Sequence, residues 1–246
     1  MKRLDAELVE RGLCESREKA KRAILAGSVR VNQQVARKAS DPIKPGDVIE
    51  LAAGEKYVSR GGLKLEHALQ QFQLEVRDAM AIDLGASTGG FTDCLLQNGA
   101  ARVYAVDVGH GQLAWKLRTD PRIVVMERTN ARALTKEQFP KDFDAVDLIV
   151  IDCSFISLQK LIPPAIPLLR AGGQIVALIK PQFEAGKAEA DKGAGVIKDP
   201  AVHQRVVREL EEFISGQPGL HWKSTTESPI LGPAGNKEFF VLIEKS

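Results

Sequence analysis

Apolar residues near the amino terminus recur at helical spacing. Leu4, Leu8, Val9 and Leu13 form a stripe that closes near Gly12. Ser16 stands where an N-cap belongs, ahead of a second helix over about Arg17–Ala26 with a small apolar face of Ala20, Ala23, Ile24 and Leu25, closed by Gly27. The period then changes to two: Val29–Asn32 and Asp47–Leu51 read as short strands, with a Pro45-Gly46-Asp47 turn between them. From about residue 79 the pattern repeats as apolar strand, loop and helix. The strands expected are Met80–Leu84, Val103–Asp107, Ile123–Glu127, Leu148–Asp152 and Gln174–Ile179, with helices at Phe91–Gln97, Gln112–Arg118 and a proline-broken Leu158–Leu169. A long charged helix over about Ala201–Ser215 leads to Leu220–Glu227 and Glu238–Glu244. Alternating strands and helices predict an α/β fold, a mostly parallel Rossmann-like sheet with helices on both faces. The last two segments bring it to seven strands, the last antiparallel. The expected organisation is a small α+β module at 1–52, a linker at 53–60 and a larger α/β domain at 61–246.

A chain of 246 residues with 44% hydrophobic content can build two cores of unequal size. No apolar run approaches the ~18 residues of a membrane span, and the charged start Lys2-Arg3-Leu4-Asp5 lacks the apolar stretch of a signal peptide. Cys14, Cys94 and Cys153 form no CxxC pair, which argues against disulfides or structural zinc. His67, His203 and His221 have no metal-ligand spacing either, so no metal is expected. The chain is expected to be cytoplasmic. Its charge divides unevenly: residues 1–60 hold 13 Lys and Arg against 9 Asp and Glu, and the remainder 21 against 23. A basic module on a mildly acidic body suits contact with nucleic-acid phosphates.

Ligands of such a sheet bind at the carboxyl ends of its strands. Asp83-Leu84-Gly85-Ala86-Ser87-Thr88-Gly89-Gly90-Phe91 runs from a strand through a glycine-rich turn into a helix, and Asp107 at the end of the next strand is suited to a ribose diol. NAD and S-adenosylmethionine both fit those features, and three details favour adenosylmethionine. The Gly85, Gly89, Gly90 spacing is not GxGxxG; Asp83 would repel a pyrophosphate but attract a cation; and Arg128-Thr129-Asn130 after the third strand suits an adenine neighbourhood. Val108 adjoins Asp107 in the same loop.

Asp152 ends the fourth strand and Lys180 the fifth, both beside the expected methyl donor. A buried salt bridge is the plain structural reading. A lysine there also has a chemical use, since methylation of a ribose 2′-hydroxyl needs a base, and lysine serves when burial or a second cation favours its free amine. Lys64 could be that cation, and Glu238 could add a carboxylate to a mixed-charge cluster of Lys64, Asp152, Lys180 and Glu238.

Two resemblances follow from these strings. Arg3-Leu4-Asp5, Ser16-Arg17-Glu18-Lys19-Ala20 and Ile24 to Asn32 resemble the S4 RNA-binding domain over about residues 3–51. That resemblance implies a structured RNA partner, with Arg3, Arg17, Lys19, Lys21, Arg22 and Arg30 on its backbone; such contacts position a protein without reading sequence. The Lys64, Asp152, Lys180, Glu238 set resembles the FtsJ-type ribose 2′-O-methyltransferases. With the amino-terminal module, and with Ser59-Arg60-Gly61-Gly62-Leu63-Lys64, Val108-Gly109-His110-Gly111-Gln112 and Lys180-Pro181-Gln182-Phe183-Glu184, the whole chain is similar to the TlyA (hemolysin A) family of ribosomal RNA methyltransferases. The family implies adenosylmethionine as cofactor, ribosomal RNA or ribosomal subunits as partner, and methylation of a cytidine 2′-hydroxyl in 23S and, in some members, 16S RNA. Lys180 would be the base, tuned by the other three. Glu55-Lys56-Tyr57-Val58 departs from the aromatic-basic linker of longer members, and the chain resembles the shorter form associated with the large subunit.

The rivals are weaker. A cytosine C5 mechanism through Cys153 lacks the usual neighbouring proline, and Asp152-Cys153-Ser154-Phe155 keeps only the ends of an amino-methyltransferase motif. A membrane-active protein would need a strongly apolar amphipathic helix or a span. A non-catalytic RNA binder would need a degraded loop or cluster. The Gly186–Ile197 stretch reads as a long connection or a loop that orders over RNA.

Overall fold

The computed structural model describes residues 2–51, 56–186, 189, 193 and 195–246, and the chain divides into two compact units, 1–56 and 57–246. Residues 53–55 of the expected linker lie outside the described residues, as does part of the Gly186–Ile197 stretch; Tyr57 is buried within the second unit.

In the first unit α1 (Leu4–Glu10) and α2 (Arg17–Leu25) pack together on a small core of Leu4, Leu8, Ala20, Ile24, Val29, Ala36, Ile43 and Ile49. The Ser16 hydroxyl accepts from the Lys19 N–H at 3.2 Å and so caps α2. Strands β2 (Val29–Val31), β3 (Gln34–Val35) and β5 (Ile49–Leu51) form an antiparallel sheet in the order β3-β2-β5. A separate two-residue ladder joins β1 (Lys2–Arg3) to β4 (Pro42–Ile43).

The second unit is a seven-stranded sheet in the order β11-β12-β10-β9-β6-β7-β8. Its strands are β6 (Met80–Leu84), β7 (Arg102–Val106), β8 (Ile123–Met126), β9 (Val146–Ile151), β10 (Leu169–Ile179), β11 (Leu220–Glu227) and β12 (Phe239–Lys245). The five strands from β10 to β8 run parallel, and β12 is antiparallel to both β10 and β11. Alternate residues point to opposite faces, and both faces are covered. One core joins Ile82, Tyr104, Ile149 and Ile175 to Val206 and Leu210 of α8 (Pro200–Ser215). The other joins Ala81, Val103, Val150 and Val176 to Leu65 of α3 (Gly61–Gln71) and Leu95 of α4 (Gly90–Gln97).

The helix expected over Gln112–Arg118 is confined to α5 (Trp115–Arg118), because Leu113 is drawn into the core and Gln112 turns toward Ser87. Prolines split the expected Leu158–Leu169 helix into short turns around α6 (Ile162–Ala165). A single helical turn, α7 (Pro181–Glu184), follows β10.

Candidate active site

The order in which strands are added reverses between β6 and β9, which run parallel: β7 and β8 extend the sheet on one side of β6, while β9 and β10 lie on the other. A cleft opens there at the carboxyl ends of the strands, as a doubly wound sheet dictates. It has two lobes, about 290 and 430 Å³, that share Gly85, Ser87, Asp152 and Ser154. Together they fall in the size range of small-molecule sites, roughly 300–1,000 Å³.

One lobe holds the charged cluster. Lys64 on α3 and Glu238, just before β12, are 8% and 1% exposed, and the Lys64 ammonium donates to Glu238 Oε2 at 2.5 Å. Lys180 follows β10 directly, and its Nζ lies 2.6 Å from Asp152 Oδ1. That pair is a charge contact rather than an aligned hydrogen bond; the aligned bond of Lys180 goes to Ser154 Oγ at 2.9 Å. The four residues expected from sequence thus line one cavity as two ion pairs, together with Ser59, Arg60 and Phe91.

The other lobe is lined by Asp107, Val108, Asn130, Cys153, Phe155 and Ile156. Asp107 accepts from the Ser87 N–H at 2.8 Å and the Gly109 N–H at 2.6 Å, which fixes its carboxylate at the lobe's edge and leaves lone pairs on both oxygens for a diol. Beneath the glycine turn Asp83 is wholly buried. Thr92 donates to its Oδ2 at 2.6 Å, while Oδ1 has no partner among the described residues. Burial outweighs the Thr92 hydrogen bond and, with the charges of Asp152 and Asp107, pushes Asp83 up to about 7. Gly85 brings the turn against β9: its φ is +88°, and a Cβ there would lie 2.7 Å from the Asp152 carbonyl oxygen. A diol-ready acid at the edge of one lobe and a glycine turn held against β9 fit a nucleoside-bearing cofactor such as adenosylmethionine, while Asp83 lies beneath the turn and out of the cleft.

Of the expected cofactor residues, Gly85, Ala86, Ser87, Thr88, Phe91, Asp107, Val108, Asn130 and Asp152 line the cleft. Asp83, Gly89 and Arg128 do not. Gly89 caps α4 beneath Leu113 and Leu117, and Arg128, at φ +54°, gives its backbone N–H to the Gly109 carbonyl. His110 turns to Glu127, 2.7 Å away. Sequence reasoning gave no role to Ser154, two residues beyond Asp152 and therefore on the same side of an extended strand end. It also passed over Phe155, whose ring is 89% exposed at the rim of the cofactor lobe, at φ +63°, with its centroid 4.9 Å from that of Phe183. Burial and the charges of Asp152 and Asp83 push Cys153 up to about 12, so it is an uncharged thiol, unsuited to attack on a pyrimidine.

In the first unit the expected RNA contacts differ in freedom. Arg3 and Arg17 both bond to Asp5, Lys19 pairs with Glu15, and Lys21 lies 3.9 Å from Glu18. Arg22 and Arg30 are exposed with no carboxylate partner among the described residues.

A glycine-rich turn at the strand switch, an acid ending the next strand and a paired lysine cluster suit the class of S-adenosylmethionine-dependent methyltransferases. Residues 57–245 match the FtsJ-like methyltransferase family and residues 2–49 the S4 domain. The chain is 50% identical over 240 residues to YqxC of Bacillus subtilis, covering 97% of this chain and 84% of that one. It is 44% identical over 245 residues to the 16S/23S rRNA (cytidine-2′-O)-methyltransferase TlyA of Mycobacterium tuberculosis, covering 97% and 88% of the two. A solved structure from Streptococcus thermophilus that carries a hemolysin name matches with TM-score 0.75 and 44% identity, over all of this chain and 88% of that one. The chain belongs to the FtsJ-like methyltransferase family, in the TlyA group that carries an amino-terminal S4 domain. Its cofactor is S-adenosylmethionine. No helix among the described residues is long and apolar enough to cross a membrane.

Proposed function

We propose that the protein methylates the 2′-hydroxyl of a cytidine ribose in 23S ribosomal RNA, with Lys180 as the base. The observation that carries this reading is the placement of two lysine-carboxylate pairs, Lys180–Asp152 and Lys64–Glu238, in the lobe adjoining the cofactor lobe. A base methyltransferase has no need of that arrangement. Relatives named for cytidine 2′-O-methylation support the substrate class.

When bound, adenosylmethionine supplies an electrophilic methyl group on a sulfonium, open to in-line displacement by an oxygen nucleophile. Asp107 and Asn130 would hold its ribose and adenine side. Lys180 as free amine accepts the proton of the 2′-hydroxyl as the new oxygen–carbon bond forms. Asp152 and Ser154 fix the Lys180 Nζ by contacts on its other side, so that its lone pair is presented to one position in the cleft. Lys64, neutralised by Glu238, shapes the same lobe and keeps its net charge near zero. Phe155 and Phe183 form an aromatic shelf at the rim, suited to stacking the base of a nucleotide turned into the cleft. Arg60, Arg128, Arg132 and Lys160 are exposed along the same edge of the sheet with no carboxylate partner among the described residues. Arg77, Arg102, Arg122 and Arg170 on the opposite edge are each paired with a carboxylate. Unneutralised cations around the cleft favour an RNA backbone there.

The test is transfer of labelled methyl from adenosylmethionine to unmodified large and small ribosomal subunits, followed by nuclease digestion and mass spectrometry. Label on a cytidine ribose, reduced about 10²–10⁴-fold in Lys180→Ala with cofactor binding retained, is the expected result. Label on a base, or an active Lys180→Ala enzyme, overturns the reading; label on the small subunit widens the substrate.

A further inference from the structure

Asp5 is the second residue of α1 and, among the described residues, the one acidic side chain of the first unit that is wholly buried. A buried carboxylate is costly unless its oxygens are satisfied, and here two arginines satisfy it. Arg3 approaches side-on, with Nε donating to Oδ1 at 3.0 Å and Nη2 to Oδ2 at 3.2 Å; Arg17, from the first turn of α2, donates Nη2 to the same Oδ2 at 2.9 Å. These bonds, the Arg3 pair foremost and against the cost of burial, hold the carboxyl at about 2, so it stays charged across the working range.

The arginines themselves are not buried. Their side chains are 50% and 56% exposed, and most of their N–H donors have no acceptor among the described residues. Two guanidiniums would normally separate by repulsion. A charged carboxylate beneath them removes that repulsion and fixes both forks, from two different elements, over one point. Lys19 and Lys21 differ, since their partners Glu15 and Glu18 are exposed side chains on flexible stems. Two fixed forks with outward donors match the unesterified oxygens of a phosphodiester, which arginine binds in bidentate fashion.

We propose that Asp5 is a positioning residue that holds Arg3 and Arg17 as a single two-guanidinium clamp for one phosphate of the RNA backbone. The proposal rests on the reading that the amino-terminal unit binds the RNA substrate. Its signature is a sign reversal. Removing a negative charge from a basic surface should tighten RNA binding if net charge alone governs it. Loss of the clamp should weaken binding despite the added positive charge.

The experiment measures dissociation constants of the full chain for protein-free 23S RNA over a salt series. Asp5→Asn is expected to bind about tenfold more weakly at each salt, about 1.4 kcal/mol. A second variant, Arg3→Lys with Arg17→Lys, keeps every charge and leaves Asp5 with cationic partners. It is expected to lose a similar factor while the slope of log K against log salt is unchanged, since the slope counts charges and not forks. If Asp5→Asn fails to fold, this double variant decides alone. Tighter or equal binding by a folded Asp5→Asn, or wild-type affinity in the double lysine variant, overturns the clamp and leaves the RNA-methylation reading standing. Absence of binding by the wild type overturns the clamp together with the reading that the amino-terminal unit binds this RNA, and methyl transfer to ribosomal subunits then decides the methylation reading separately.

Discussion

Gly85→Ala should damage the enzyme at a calculable cost. At φ +88° a Cβ meets backbone strain of ~1–2 kcal/mol. The Cβ would also lie 2.7 Å from the Asp152 carbonyl oxygen and 3.0 Å from Cys153 Sγ. Neither neighbour yields easily: the Asp152 N–H is bonded to the Leu84 carbonyl at 3.0 Å, and the Gly85 N–H to that of Val106 at 2.9 Å, so the turn is tied to β9 and β7 together. Forcing extra volume into such a contact adds ~1–3 kcal/mol. A total near 3 kcal/mol should lower the midpoint of the larger unit by about 6–12 °C. Because the displaced backbone belongs to Asp152, a shift of about 1 Å should also slow methyl transfer about 100-fold. Thermal unfolding and single-turnover transfer measure the two effects. Gly172→Ala is the control: its φ is +73° with nothing within 4 Å of a Cβ, so it carries the backbone strain without the contact. If Gly85→Ala matches Gly172→Ala in both midpoint and rate, the close approach of the turn to Asp152 has no energetic meaning and the reasoning fails.

Three further outcomes are expected. Asp83 has a raised pKa of about 7, so the folded state holds a proton that the unfolded state has already lost; its contribution to stability is full below about pH 4 and is lost as pH rises through about 7. Melting curves from pH 5 to 8 should therefore fall more steeply in the wild type than in Asp83→Asn, and parallel curves would refute the assignment. Lys64→Met strands the buried Glu238 carboxylate and should cost ~3–5 kcal/mol, whereas Lys64→Met with Glu238→Gln should recover most of the stability, by denaturant titration, without recovering transfer. Phe155→Gly relieves a left-handed backbone at an exposed site, so it should leave stability unchanged or raise it by up to ~1 kcal/mol while raising the KM for RNA about tenfold.

The parts of the site legible in the sequence are those that end strands. Asp107, Asp152 and Lys180 each follow an apolar run, and the end of that run put them at the carboxyl edge of the sheet, whereas Asp83, inside β6, is buried beneath the turn. What escaped has physical causes. Helix α3 begins at Gly61-Gly62 after Arg60, with no side-chain cap, and its buried stripe includes Lys64, so both the start signal and the apolar periodicity are broken where the site needs a charge. The expected strand Ile123–Glu127 stops at Met126 because Glu127 turns to accept from the Gly111 N–H and from Arg118. The ladder of β1 with β4 is two residues long, too short for any alternation to register. The pairing of Lys64 with Glu238, and the convergence of Arg3 and Arg17 on Asp5, depend on tertiary proximity that no local pattern encodes.

The Lys64–Glu238 pair joins residues 174 positions apart, and β12, which follows Glu238, lies between β10 and β11 inside the sheet. A ribosome making this chain releases the cofactor turn, Asp107, Asp152 and Lys180 well before it releases Glu238. The nascent chain can thus assemble the switch-point cleft while a slot in its sheet stays open and the Lys64 ammonium has no counter-ion. Only the final strand closes both. A stop before Glu238 should therefore yield inactive protein rather than a weakened enzyme, and catalytic competence waits on the synthesis of β12.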